Sequence, residues 1–327
     1  MRTRTNNNVR RRRVDNRPLF AFLFAIAIIF GGISVFQGMT DGDRLTEAGK
    51  IAEEARKKRG NTPVQLDLQL PVNQWVAAQK DSDNSGIIIY DLDNEAVVAR
   101  HNESKNFRIE SIYKMFVAYE GYYRIDHNIY SADDTALDWN SFDGKPYTLE
   151  LCLDHMVRYS FSNCAEVVWK KIGRSKLQSI YENKGFKNTD IAGFTSTPED
   201  IMKLYQMYWK HEDLSDDSWS KIKDSMLNQT APKSASDVYT KNWRMGLPSG
   251  FATAKVYNKV GWYGDESGWK IYDDAALLDF PEKTNNNNET KPARHFIIVA
   301  LTKNTSPKEL VKLGRKIEST IKTADSY

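Results

Sequence analysis

The chain of 327 residues has little from which to build a metal centre or a disulfide scaffold. It holds two cysteines and five histidines, and the histidines (101, 127, 155, 211, 295) fall without ligand spacing. No metal site is therefore expected, and no organic cofactor is implied. No internal repeat is visible, which excludes a solenoid or a propeller. A net positive balance is missing from everything past residue 17. Residues 1–17 carry seven arginines against Asp15, a formal +6 in a chain of net +3, so the rest sits at −3. That remainder has no nucleic-acid footprint. Aromatic residues make up 12% of the chain, enough for a sizeable core, and the length allows one large domain with extras or two small ones.

Charge is also absent from Pro18 to Thr40, and within that stretch Leu19–Phe36 is strongly apolar. It is long enough to span a bilayer. The arginines before it predict an N-terminus kept in the cytoplasm and a body carried across the membrane. No clear small-x-small cleavage site and no lipobox cysteine follow, so an uncleaved anchor is expected rather than a cleaved signal peptide. The chain then divides into a basic cytoplasmic tail (1–17), a transmembrane anchor (18–38), an extracytoplasmic linker (39–70) and a folded body (71–327). The expected localisation is a single-pass cell-membrane protein with its body extracytoplasmic. In such a compartment disulfides persist. The separation of Cys152 and Cys164 suits two neighbouring helices joined by a turn, and either a bridge or two small buried thiols fits.

Within the body, periodicity and breakers predict helices over Val72–Lys80, Leu149–Tyr159, Asn163–Gly173, Lys176–Lys184, Pro198–Trp209, Trp219–Met226 and Ser306–Thr323. Strands are predicted over Ile87–Tyr90, Glu95–Arg100, Ala254–Gly261, Ile271–Phe280 and His295–Thr302. Gly121–Tyr147 reads as polar and irregular, with some helix. Strands at both ends and helices between them predict an α+β fold. One five-stranded antiparallel sheet is covered by the terminal helices and joined to a helical lobe.

The stretch from Phe107 to Tyr119 organises the chemistry. It places Ser111 and Lys114 three residues apart on a predicted helix, where residues i and i+3 share a face. A hydroxyl becomes a nucleophile once a base takes its proton, and a lysine of lowered pKa serves. The spacing alone is common, since Ser218/Lys221, Ser220/Lys223, Ser267/Lys270 and Ser319/Lys322 share it. A serine at that place also fits a helix cap. Ser111 differs in following two strand-like runs and in opening an apolar stripe of Ile112, Met115, Phe116 and Tyr119.

Two further pieces complete a pattern: the turn Ser160-Phe161-Ser162-Asn163 and the strand end Lys259-Val260-Gly261. With Ser111-x-x-Lys114 they stand in the order of the motifs Ser-x-x-Lys, Ser-x-Asn and Lys-Thr/Ser-Gly. In this the chain resembles the β-lactamase/penicillin-binding-protein serine hydrolases, and within them the class A β-lactamase-like branch. Thr197-Pro198-x-Asp200, Arg244-x-Gly246-Leu247-Pro248 and the strand IYDDAALL extend the resemblance over roughly residues 71–325. It implies a β-lactamase-like fold, a β-lactam or D-alanyl cell-wall peptide as substrate, and an acyl-enzyme on Ser111 activated by Lys114. It further implies an oxyanion hole from the backbone N–H groups of Ser111 and Trp262, next to Gly261. Asn163 would bind the substrate amide and orient Lys114, and Lys259 would supply charge and help proton transfer.

Three departures shape the expectation. The residue two before Asn163 is Phe161. Counting from the preceding helix makes Ser160 the proton-shuttling hydroxyl, with Ser162 the next choice; a turn serine bonding its own backbone is the plain alternative. Val260 replaces a hydroxyl that would bind a substrate carboxylate, a loss Arg244 or Tyr263 could offset. No glutamate matches the water-positioning residue of the class A Ω-shaped loop, so deacylation is expected to be slow; Glu166 is expected to be a helix-face carboxylate. The alternative reading is a non-catalytic envelope protein of the same fold that binds muropeptides or a partner.

Overall fold

The computed structural model of the chain describes residues 63–140, 146–227, 246–265, 268–284 and 290–325. The tail at 1–17, the expected anchor at 18–38 and the linker as far as residue 62 lie outside the described residues. Among the described residues no helix is long and apolar enough to cross a membrane.

The main sheet has five antiparallel strands: β1 (Ser85–Asp91), β2 (Ala96–His101), β3 (Lys255–Asp265), β4 (Gly268–Phe280) and β5 (Arg294–Thr302), in the order β2-β1-β5-β4-β3. The two halves of the body meet where β1 pairs with β5, from Ser85 opposite Thr302 to Asp91 opposite Phe296. Side chains alternate between the faces of a strand, and each face of this sheet is buried. Ile87, Ile89, Ile298 and Ala300 join one core with α1 (Gln69–Ala77) and the last helix, Pro307–Asp325. Ile88, Ile297, Val299 and Leu301 join a second core, built with the central helices. Continuous apolar runs such as IIVAL in β5 are what burial on both faces requires.

Between β2 and β3 come α2 (Tyr113–Asp126), α3 (Leu149–Arg158), α4 (Ser162–Ile172), α5 (Arg174–Asn183), α6 (Pro198–Lys210) and α7 (Asp216–Leu227); the C-terminal helix is α8. Two of their starts are capped by a threonine side chain. Thr197 accepts from the Asp200 amide at 3.2 Å with Pro198 in the first turn, and Thr148 accepts from the Leu151 amide at 3.2 Å.

The expected elements are present, with three differences. First, helix α2 continues through Gly121 to Asp126. Glycine is used there for close packing: a Cβ would lie 2.4 Å from Leu153 Cδ2 on α3. Second, part of the segment read as irregular is an antiparallel pair, Thr135–Asn140 with Pro146–Thr148. Third, residues 63–70, expected as the linker's end, are docked on the body. Leu68 is fully buried, its amide donates to Val98 O at 3.0 Å, and Arg294 donates to Val64 O at 2.7 Å.

Cys152 and Cys164 are joined, with Cα atoms 5.0 Å apart. The bridge ties α3 to α4 across the turn that holds Ser160. Closing so short a loop restricts the unfolded chain by about 3 kcal/mol.

Candidate active site

Ser111 lies in a 3-10 turn, Glu110–Ile112, that runs directly into α2. The Ile109 amide donates to Phe194 O at 2.9 Å, and the Ile112 amide closes the turn onto Ile109 O at 2.8 Å. Glu110 takes a positive φ of 37°, a conformation L-residues adopt at a cost, so the surroundings hold this turn in place. Ser111 does not cap the helix. Its hydroxyl meets Lys114 Nζ at 2.9 Å.

Lys114 is almost fully buried. Besides Ser111 Oγ, its Nζ faces Ser160 O at 2.7 Å, Ser160 Oγ at 3.2 Å and Ser162 Oγ at 3.1 Å. An ammonium has three protons for these four oxygens. A neutral amine has two protons and one lone pair, which can accept from the serine O–H. Burial favours the neutral form and lowers the Lys114 pKa from 10.5 to about 7; the negative charges of Glu166 and Glu110 oppose that shift. A base of this kind can deprotonate Ser111 near neutral pH.

Ser160 joins this amine to a second one. Its Oγ is 2.9 Å from Lys259 Nζ as well as 3.2 Å from Lys114 Nζ. The residue takes a positive φ of 54°, which turns its carbonyl and its hydroxyl onto the same lysine. Lys259 is fully buried on β3 opposite Ala275. Burial, and then repulsion from Lys114, hold its pKa well below the usual lysine value, with Asp274 opposing.

The support under Lys259 was not read from the sequence. Asp274 lies on the other face of the sheet, opposite Val260. Its Oδ1 accepts from Asn258 Nδ2 at 2.8 Å and its Oδ2 from the Leu247 amide at 3.0 Å. Burial raises its pKa to about 7 despite those hydrogen bonds. The signal available was the alternation of IYDDAALL, which puts adjacent aspartates on opposite faces of a buried strand.

Gly261 is where β3 meets the serine turn. A Cβ there would lie 2.4 Å from Ile109 O, so only glycine lets the strand approach this closely. The next residue on that strand is Trp262. Val260 is buried in the core under the terminal helices and presents no hydroxyl.

The remaining expected residues divide. Ser162, not Asn163, is the second-turn side chain that reaches Lys114. Both residues are exposed on the first turn of α4, which begins at Ser162, and it is the Ser162 hydroxyl that the turn directs to the amine. Arg244 lies outside the described residues. Glu166 is half-exposed and pairs with Arg174, with Tyr113 Oη 3.5 Å from its Oε1. The segment 184–197, between α5 and α6, contains no glutamate, and its Asp190 accepts from the Gly193 amide at 2.9 Å.

Comparison with known proteins gives the following. A sequence model described as "Beta-lactamase enzyme family" matches residues 69–323. No curated protein matches the chain. Among solved structures, PBP-A is similar with a TM-score of 0.62 at 16% identity, over 80% of this chain and 99% of that one. A β-lactamase from Chitinophaga pinensis DSM 2588 is similar with a TM-score of 0.60 at 17% identity, over 78% and 98%. A variant of PBP-A, solved as its acyl-enzyme with penicillin G, has a TM-score of 0.60 at 18% identity, over 78% and 96%. At these identities the structural likeness speaks to the fold.

Proposed function

We propose, from the premise that this chain belongs to the β-lactamase enzyme family, that it is a membrane-anchored extracytoplasmic serine hydrolase. It forms an acyl-enzyme on Ser111 with β-lactams and D-alanyl cell-wall peptides. The observation that carries this reading is the 2.9 Å contact between Ser111 Oγ and the buried Lys114 Nζ. Neutral Lys114 takes the proton of Ser111 as Oγ attacks the carbonyl. The backbone N–H groups of Ser111 and Trp262 stabilise the oxyanion. The proton passes through Ser160 Oγ to the leaving nitrogen, and Lys259 supplies charge beside it. Ser162 holds Lys114 in line. The apolar, charge-free segment at 18–38 is the anchor.

The acyl-enzyme is long-lived in this account. Its hydrolysis needs a base for water, and segment 184–197 offers no glutamate for that task. The test is intact-mass spectrometry of the full chain after a penicillin pulse, beside Ser111→Ala. The expected result is a stoichiometric adduct on the unaltered chain alone that persists for many minutes. Rapid Ser111-dependent loss of penicillin with no adduct would refute slow deacylation.

Val260 favours a second reading, a non-catalytic envelope protein that binds muropeptides or a partner. A buried valine gives no hydroxyl for a substrate carboxylate. Under that reading Ser111→Ala leaves every measurable activity unchanged.

A further inference from the structure

A cavity of about 650 Å³ lies beside the serine turn, outside the hydrogen bonds that link Ser111, Lys114, Ser160 and Lys259. It is within the size range of small-ligand sites. One wall is the segment that leads into the nucleophile and ends at Glu110, the residue before Ser111. A second wall is the outer end of β3 and β4, with Tyr263, Lys270 and Ile271. Tyr263 directly follows Trp262, so both edges of the turn that would hold the reacting carbonyl continue into this cavity. The third wall is the end of β5, with Thr302 and Lys303.

The charges in these walls are unequal. Four cations, Lys105, Arg108, Lys270 and Lys303, face two carboxylates, Asp83 and Glu110. Arg108 Nε is 2.8 Å from Glu110, and Lys105 Nζ is 3.9 Å from Asp83. Counted within the walls, those pairs leave an excess of two cations, Lys270 and Lys303. Among the described residues Lys270 approaches one carboxylate, Asp265, which is outside the cavity wall and 3.8 Å away. Lys303 is exposed and has no ion pair among the described residues. The two lysines are held side by side by the backbone: the Asn304 amide donates to Lys270 O at 2.8 Å, and Ile271 bridges to Lys303. Phe107 and Ile271 give the cavity an apolar lining, and Tyr263 is 52% exposed at its edge.

We propose that this cavity binds a carboxylate-bearing side chain on the acyl side of the peptide substrate, with Lys270 and Lys303 as the residues that select it. The inference rests on the reading of Ser111 as a nucleophile toward D-alanyl peptides. It adds that the preferred peptide is acidic upstream of the scissile bond. The aliphatic part of the acidic residue lies on Phe107 and Ile271, and its carboxylate lies between the two ammonium groups.

The test uses two synthetic pentapeptides ending in D-alanyl-D-alanine, alike except for glutamate or glutamine at the second position. Each is titrated calorimetrically into full-chain Ser111→Ala. The glutamate peptide is expected to bind roughly tenfold tighter, the worth of two partly exposed ion pairs. Raising the salt should narrow that gap, and Lys270→Ala/Lys303→Ala should close it. Equal affinities, or no binding by either peptide, overturn the proposal, and a gap that survives the double substitution overturns the placement. The penicillin adduct on the unaltered chain reports separately on the catalytic reading. An adduct with equal peptide affinities sinks only the selectivity, and selective binding without an adduct sinks only the catalysis.

Discussion

On one face of the central sheet, Ile87, Ile89, Ile298 and Ala300 meet Leu310, Leu313, Ile317 and Ile321 of α8. On the opposite face, the same strands meet the helical lobe, and there β3 sends Lys259 toward Lys114 and Ser160. Both faces are buried, yet they are built for different ends. The terminal-helix face buries Asp274 together with Asn258, and both Asp274 oxygens have partners. The lobe face buries two amines whose pKa values burial lowers. It also buries Asp273, whose Oδ1 accepts from the Thr302 amide at 2.7 Å while its Oδ2 has no hydrogen-bond partner. Polar groups buried in this way cost stability, and the two amines are buried within hydrogen-bonding reach of the Ser111 and Ser160 hydroxyls.

The sharpest way to break this contrast is Lys114→Met. Acylation by penicillin should slow by about 10²- to 10⁴-fold, the usual worth of a positioned base. The fold should gain about 1–4 kcal/mol at pH 7 or below in urea unfolding, because a buried amine is replaced by an apolar chain. The sign follows from linkage. The folded pKa is lowered to about 7 from 10.5, so the unfolded chain holds the proton over that interval and the native lysine is penalised most at low pH. The gain should therefore shrink as pH rises from about 7 toward 10.5. A destabilised variant would mean that the lysine's hydrogen bonds outweigh its desolvation.

The matching change on the other face is Ile298→Ala. It removes buried volume under α8 and should cost about 2–5 kcal/mol. The pH dependence of acylation should stay in place. A shifted pH profile would show that the faces are coupled through the sheet. A comparable loss of stability is expected from Cys152→Ser/Cys164→Ser, about 3 kcal/mol by loop closure. Because the bridge flanks Ser160, acylation should fall by more than the loss of folded protein explains; equal losses would confine the bridge to stability.

Much of this architecture was legible in the residues. Short apolar runs bounded by turn residues marked all five strands, and the proline after Thr197 marked the start of α6. The order of Ser111-x-x-Lys114, Ser160 and Lys259 brought together residues far apart in sequence. What was not legible depended on tertiary packing. Gly121 reads as a helix breaker until Leu153 is seen to need its missing side chain. Asn163 was the natural partner for Lys114 by motif. The left-handed turn at Ser160 and the helix start at Ser162 move that contact one residue earlier, to a shorter hydroxyl side chain. The docking of residues 63–70 follows from Leu68 finding a core it could not announce alone.

The central claim is that a buried, neutral Lys114 makes Ser111 a nucleophile. Its most direct measurement is the rate of penicillin adduct formation on the full chain as a function of pH, read by quenched intact-mass spectrometry. The account predicts a rate that rises with pH through an inflection near 7, where Lys114 loses its proton. An inflection near 10, or a rate independent of pH across that range, would contradict it.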